Sequence, residues 1–216
     1  MTIAEKKLRE SVERQLEFTP DVPNEKIGVA VINGVVTLSG IVGTYADKIA
    51  AEDATKRVYG VKAIANDLEV KPPAERTDTE VASAAVEALE RNVNVPAQGI
   101  KLTVKKGWLT LEGTVDWWYQ RQAAETAVRY LAGVRGLSNN IMVKARVNDT
   151  EVWKKIEEAL HRSAELEARR IEVHSSGSTV TLTGKVRTWR ERDEAQRAAW
   201  NAPGVTSVVN NIEVTP

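Results

Sequence analysis

The chain repeats itself, and no other feature limits its possible folds so severely. Leu38-Ser39-Gly40, Leu111-Glu112-Gly113 and Leu182-Thr183-Gly184 are one motif, at spacings of 73 and 71 residues. Each of these glycines is followed 20 positions later by Gly-Val, as Gly60-Val61, Gly133-Val134 and Gly204-Val205. Asn66, Asn139 and Asn210 follow at a common offset of 26, and Val70, Val143 and Val214 at 30. Upstream, Leu16, Leu89 and Leu160 precede the motif leucine by 22 residues, and Ile27, Ile100 and Ile171 by 11. A chain that agrees with itself at so many offsets folds as three copies of one unit, each too small to bury a large core alone.

One unit discloses its elements. Val12 and Leu16, or Val81, Ala85 and Leu89, recur at helical spacing, and Asp78-Thr79-Glu80 and Asp149-Thr150-Glu151 place acidic and capping residues at the start. Alternating apolar runs follow, Ile27/Val29/Val31 and Val36/Leu38, joined by Asn33-Gly34, whose residues tolerate positive φ in a hairpin turn. Lys106-Gly107 occupies that position in the second copy, whereas Ser175-Ser176-Gly177-Ser178 predicts a loop one residue longer in the third. An Ala-rich helical pattern comes next, over residues 46–59, 120–132 and 190–202, with Gly60, Gly133 and Gly204 expected as its C-terminal stops. Leu-x-Gly, with Gly40, Gly113 and Gly184, is expected to end a strand and turn the chain into that helix, and a last strand closes the unit. The order is helix, strand, strand, helix, strand. A strand-helix-strand crossover makes the third strand parallel to the second, so the fold class is α+β: three tandem small domains, each a three-stranded mixed sheet covered on one face by two helices.

The expected domains are residues 1–71, 77–145 and 149–215. Lys71-Pro72-Pro73-Ala74-Glu75-Arg76 is a stiff linker, whereas residues 144–148 are short and free of proline, which predicts that the second and third units are held closer than the first and second. The 30 basic and 30 acidic residues cancel, so no global basic field favours nucleic acid. Zero cysteines rule out disulfides and thiolate metal sites, and two histidines, His161 and His174, stand in no metal-ligand motif. No serine has a recurring His and Asp in register, and no carboxylate pair recurs, so neither catalysis nor a cofactor is expected. Residues 1–14 alternate Glu, Lys and Arg and lack the apolar segment of a signal peptide, and no stretch suits a membrane span; the chain reads as cytoplasmic, with a peripheral membrane contact open to it.

The element order, with Leu-x-Gly after the second strand, Gly-Val about 20 residues on and an Asn four residues before the final Val, resembles the BON domain family in three tandem copies. The resemblance implies a non-catalytic module that binds phospholipid surfaces or other ligands, of a kind found in osmotically induced and envelope-maintenance proteins.

Two groups of residues invite a functional reading. Gly34, Gly40, Gly60, Gly107, Gly113, Gly133, Gly184 and Gly204 are assigned structural roles, because no Gly-rich phosphate loop surrounds them. The rings are more informative. Tyr45, Trp118 and Trp189 share one repeat position, five residues after the motif glycine, where they are expected foremost to pack one repeat against the next. In the central copy Trp117 and Tyr119 flank Trp118, and Arg121 follows. Unit two is also the one net basic copy, with 10 basic and 8 acidic residues over 75–146. Trp117, Trp118, Tyr119, Arg121, Lys105 and Lys106 are therefore the candidate contact residues for an anionic phospholipid surface or a membrane protein, with Lys101, Arg129 and Arg135 as further cations. Trp108, Trp153 and Trp200 recur in no other copy and are assigned to local packing or inter-repeat contacts. An ion- or small-ligand-responsive module and a self-associating structural protein are the alternative readings.

Overall fold

In the computed structural model, which describes residues 2–23, 26–144, 171–202 and 205–215, three units of the expected kind follow one another. The first contains α1 (Ile3–Glu17), β1 (Ile27–Ile32), β2 (Val35–Val42), α2 (Tyr45–Lys56) and β3 (Ala63–Val70). The second contains α3 (Asp78–Arg91), β4 (Ile100–Lys105), β5 (Trp108–Val115), α4 (Trp118–Arg129) and β6 (Gly136–Val143). The third, as described, runs through β7 (Ile171–Ser176), β8 (Thr179–Val186), α5 (Trp189–Trp200) and β9 (Ser207–Val214). Asp149-Thr150-Glu151, Trp153, His161 and Gly204 lie outside the described residues.

Each sheet has its first two strands antiparallel and its last two parallel, in spatial order first-second-third. The hydrophobic periodicities converge on one core per unit: Val12 and Leu16 of α1 meet Val36, Leu38 and Val42 of β2 and Ala51 and Ala54 of α2. In unit two, Val81, Ala85 and Leu89 meet Leu109, Leu111 and Val115 in the same way. In units one and two both helices cover one sheet face and leave the other open, and the outward strand positions carry exposed apolar residues such as Ile32, Val35 and Trp108 among the polar ones.

Four sequence expectations need correction. The motif glycine does not end its strand: Gly40 and Gly113 lie inside β2 and β5, at φ 129° and 142°. A Cβ there would overlap the carbonyl oxygen of Lys26 or Gly99, so the residue is glycine because the backbone leading into β1 or β4 passes at that point. The second helix stops at Lys56 and Arg129, short of Gly60 and Gly133, and a turn intervenes. The third hairpin is no longer than the others, since Ser176 pairs with Thr179 across Gly177-Ser178; Gly177, at φ 56°, takes the first turn position. Finally, α3 is capped by Thr77, whose hydroxyl accepts from Glu80 N at 3.3 Å while the Glu80 carboxylate accepts from Thr77 N at 2.8 Å.

Candidate functional site: the inter-unit junctions and the open face of unit two

The recurring asparagine joins the last strand to the second helix. Asn139 Nδ2 donates to the Arg121 carbonyl at 3.2 Å and to Glu125 Oε2 at 3.1 Å, while its Oδ1 accepts from Ile141 N at 3.3 Å. Asn66 meets Lys48, Glu52 and Leu68 in the same geometry, and Asn210 meets Arg192, Gln196 and Ile212. Arg121, expected at a phosphate, is spent on the same joint. Its Nε donates to the Ile141 carbonyl at 2.9 Å and its Nη2 to the Asn139 carbonyl at 2.7 Å. Arg192 repeats this pair of bonds and Lys48 supplies a single one to Leu68, so a cation eight residues after the motif glycine covers the free edge of each last strand. Burial holds the Arg121 guanidinium below its ordinary pKa, with Glu125 opposing.

The three rings that share a repeat position each enter the following unit. Tyr45 packs against the core of unit two, where burial pushes its hydroxyl pKa up against the opposing charge of Arg129. Trp118 stacks on Trp200 of unit three, ring centroids 4.2 Å apart and planes within 8°, with the Arg121 guanidinium 4.5 Å from the Trp118 ring centre. Trp189 packs against the core of unit one and donates from Nε1 to the Lys62 carbonyl at 3.1 Å. Beside it Lys56 Nζ meets Asp193 Oδ2 at 3.4 Å. Burial alone would lower the Lys56 pKa, but Glu52, Asp193 and Asp53 together raise it, so the ammonium stays charged. The contacts run one to two, two to three and three to one, and the units close a ring. Unit one therefore touches both others.

The remaining candidates divide between two surfaces. Trp117 and Tyr119 stay with Trp118 at the second junction, Trp117 half-buried and Tyr119 52% exposed. Lys105 and Lys106 lie elsewhere, at the hairpin end of the open sheet face, and both are exposed. There Lys105 pairs across the strands with Trp108, which is 52% exposed and was expected to pack locally or between repeats. Trp108 does make one local contact set: its indole lies over Gly136, where a Cβ would collide with the ring, and Nε1 donates to Ser138 Oγ at 2.9 Å. The rest of the ring faces outward beside Lys105, and the exposed Arg135 packs its side chain against the neighbouring Gly107. Alternation along β5 could have placed Trp108 on the open face, since it is out of phase with Leu109 and Leu111. Among the described residues no helix is long and apolar enough to cross a membrane.

Comparison with protein families agrees with this threefold order. The BON domain family model matches residues 4–72, 77–145 and 148–216. Osmotically-inducible protein Y of Escherichia coli (strain K12) is 29% identical over 130 residues, which take in 57% of this chain and 65% of that protein, so the match spans less than two thirds of the relative. Among solved structures, the C-terminal domain of CdsD, a structural protein of the type III secretion system of Chlamydia trachomatis, aligns over 97% of this chain and 98% of its own at 15% identity, with a TM-score of 0.26.

Proposed function

The chain belongs to the BON domain family, and from that premise we propose that it is a non-catalytic binding protein of osmotic-stress physiology that rests on anionic phospholipid through its second unit. The observation that carries this reading is Trp108, a half-exposed indole on an open sheet face with Lys105, Lys106 and Arg135 around it. An indole suits the headgroup level, and each cation near an anionic surface contributes about 1 kcal/mol. Three cations and one ring give reversible attachment that weakens as salt screens it. The osmotic assignment draws on the similarity to Osmotically-inducible protein Y.

Co-flotation of the purified chain with phosphatidylglycerol-containing and with neutral phosphatidylcholine vesicles, at low and physiological salt, tests the proposal. Flotation with anionic vesicles alone is expected, lost as salt rises and reduced about tenfold by Trp108→Ala combined with Lys105→Glu. Equal flotation with both vesicle types, or none with either, would sink it.

A further inference from the structure

Where three copies of a unit share a sequence pattern, the positions at which one copy departs from it are informative if they meet in space. Three such departures meet at the second junction. The residue before α2 is Thr44 and before α5 is Thr188, and each hydroxyl caps its helix by accepting from Asp47 N at 3.0 Å or Glu191 N at 3.2 Å. Before α4 the residue is Trp117, which has no hydroxyl to offer the helix. Gln120 Oε1 accepts from the amides of Asp116 and Trp117, both at 3.0 Å, so half of the capping arrangement survives. One residue beyond the shared ring, Ala46 and Arg190 correspond to Tyr119, and on the receiving helix Lys56 and Arg129 correspond to Trp200. Trp117, Tyr119 and Trp200 come from two units and line one cleft together with Asp116, Lys144 and Asn201, with a cavity of about 50 Å³ that opens directly to solvent.

Packing accounts for Trp200, which stacks on Trp118, but not for Tyr119, which is half exposed. Asp116 and Lys144 face each other at 3.6 Å and cancel in charge, so the cleft has no net field to select an ion. What it offers is a carboxylate acceptor, an ammonium donor and the Asn201 amide, which does both, beside an exposed ring. A sugar ring has the complementary surface, with an apolar C–H face on one side and hydroxyls that donate and accept around its rim.

We infer that the cleft between the second and third units is a saccharide-binding site, with Tyr119 and Trp117 as the platform for the C–H face and Asp116, Asn201 and Lys144 reaching the hydroxyls. It lies apart from the Trp108 face and does not depend on membrane attachment.

Saturation-transfer NMR on the full chain, with the trimer of N-acetylglucosamine, with maltotriose and with tetramethylammonium as a cation control, tests the inference. At least one trimer is expected to show transfer that falls about fivefold in Tyr119→Ala and in Trp117→Thr. Trp117→Thr restores the cap found in the other two units, which offsets part of the packing lost with the half-buried ring. No transfer from either trimer, transfer unchanged in Tyr119→Ala, or Tyr119-dependent transfer from tetramethylammonium alone would each overturn the saccharide site.

Discussion

Single carboxylates at the start of the first helix of a unit fasten the hairpin beneath it. Asp78 accepts from Lys106 N at 2.8 Å and from Gly107 N at 2.9 Å, and in unit one Glu5 Oε1 accepts from Asn33 N at 3.0 Å. The residues differ, and the task is the same: to satisfy turn amides that no strand partner reaches. The Gly107 and Lys106 amides hold the Asp78 carboxyl below its ordinary value of 3.8, and the Asn33 and Thr2 amides do the same for Glu5. A folded-state pKa below the unfolded one contributes stability that is full at neutral pH and is lost as pH falls through that ordinary value toward the lowered one. Urea unfolding followed from pH 7 down to about 3 should therefore show unit two weakening at the acid end. Asp78→Asn should be less stable than the parent at pH 7, because one amide oxygen serves in place of two carboxylate oxygens, and its stability should fall less steeply with acid. Equal stability of variant and parent at neutral pH would show that the two amide bonds contribute nothing net.

At the scale of elements, the joint between the last strand and the second helix rests on the half-buried Asn139, which has three partners. Asn139→Ala leaves the Ile141 amide without this partner and the Glu125 carboxylate with Arg129 alone, and is expected to cost about 1–3 kcal/mol, with a lower urea midpoint and unchanged m-value. A loss below about 0.5 kcal/mol would mean that water replaces the amide at this edge. The sequence made this asparagine visible through its recurrence, as it did the motif glycine and the order of helix and strands. It also held the cations Lys48, Arg121 and Arg192 at a common offset, yet residue type hid their role, since a helical lysine or arginine reads as solvated or, beside the rings of unit two, as a phosphate contact. The sequence makes the second helix too long because Val58 continues the helical spacing of Ala51 and Ala54 toward Gly60, and only the backbone turn after Lys56 reveals the earlier stop. The junction sockets were illegible for a different reason: Lys56 and Arg129 are cations at a position where unit three has Trp200, and a helical cation does not mark itself as the receiver of a neighbour's ring.

At the scale of the whole molecule, the three rings make three unequal junctions. The chain itself runs from unit one to unit two and from unit two to unit three, so those contacts form at high effective concentration. The contact from unit three to unit one has no linker of its own and is held by Trp189, its bond to the Lys62 carbonyl and the Lys56–Asp193 pair. That ion pair is partly exposed and worth at most about 1 kcal/mol, so the closure rests mainly on the buried part of the indole. The ring should then open first at this junction. A compact chain of this length has a radius of gyration of about 17 Å, and Trp189→Ala is expected to raise the value measured by small-angle scattering by several ångströms while the far-ultraviolet dichroism stays unchanged. Asp193→Lys should produce a smaller expansion, because it sets a second ammonium against Lys56. Trp118→Ala removes an equally large ring from a tethered junction and should expand the chain less. If both tryptophan variants scatter like the parent, the units are held by their linkers and the ring is not closed by its side chains.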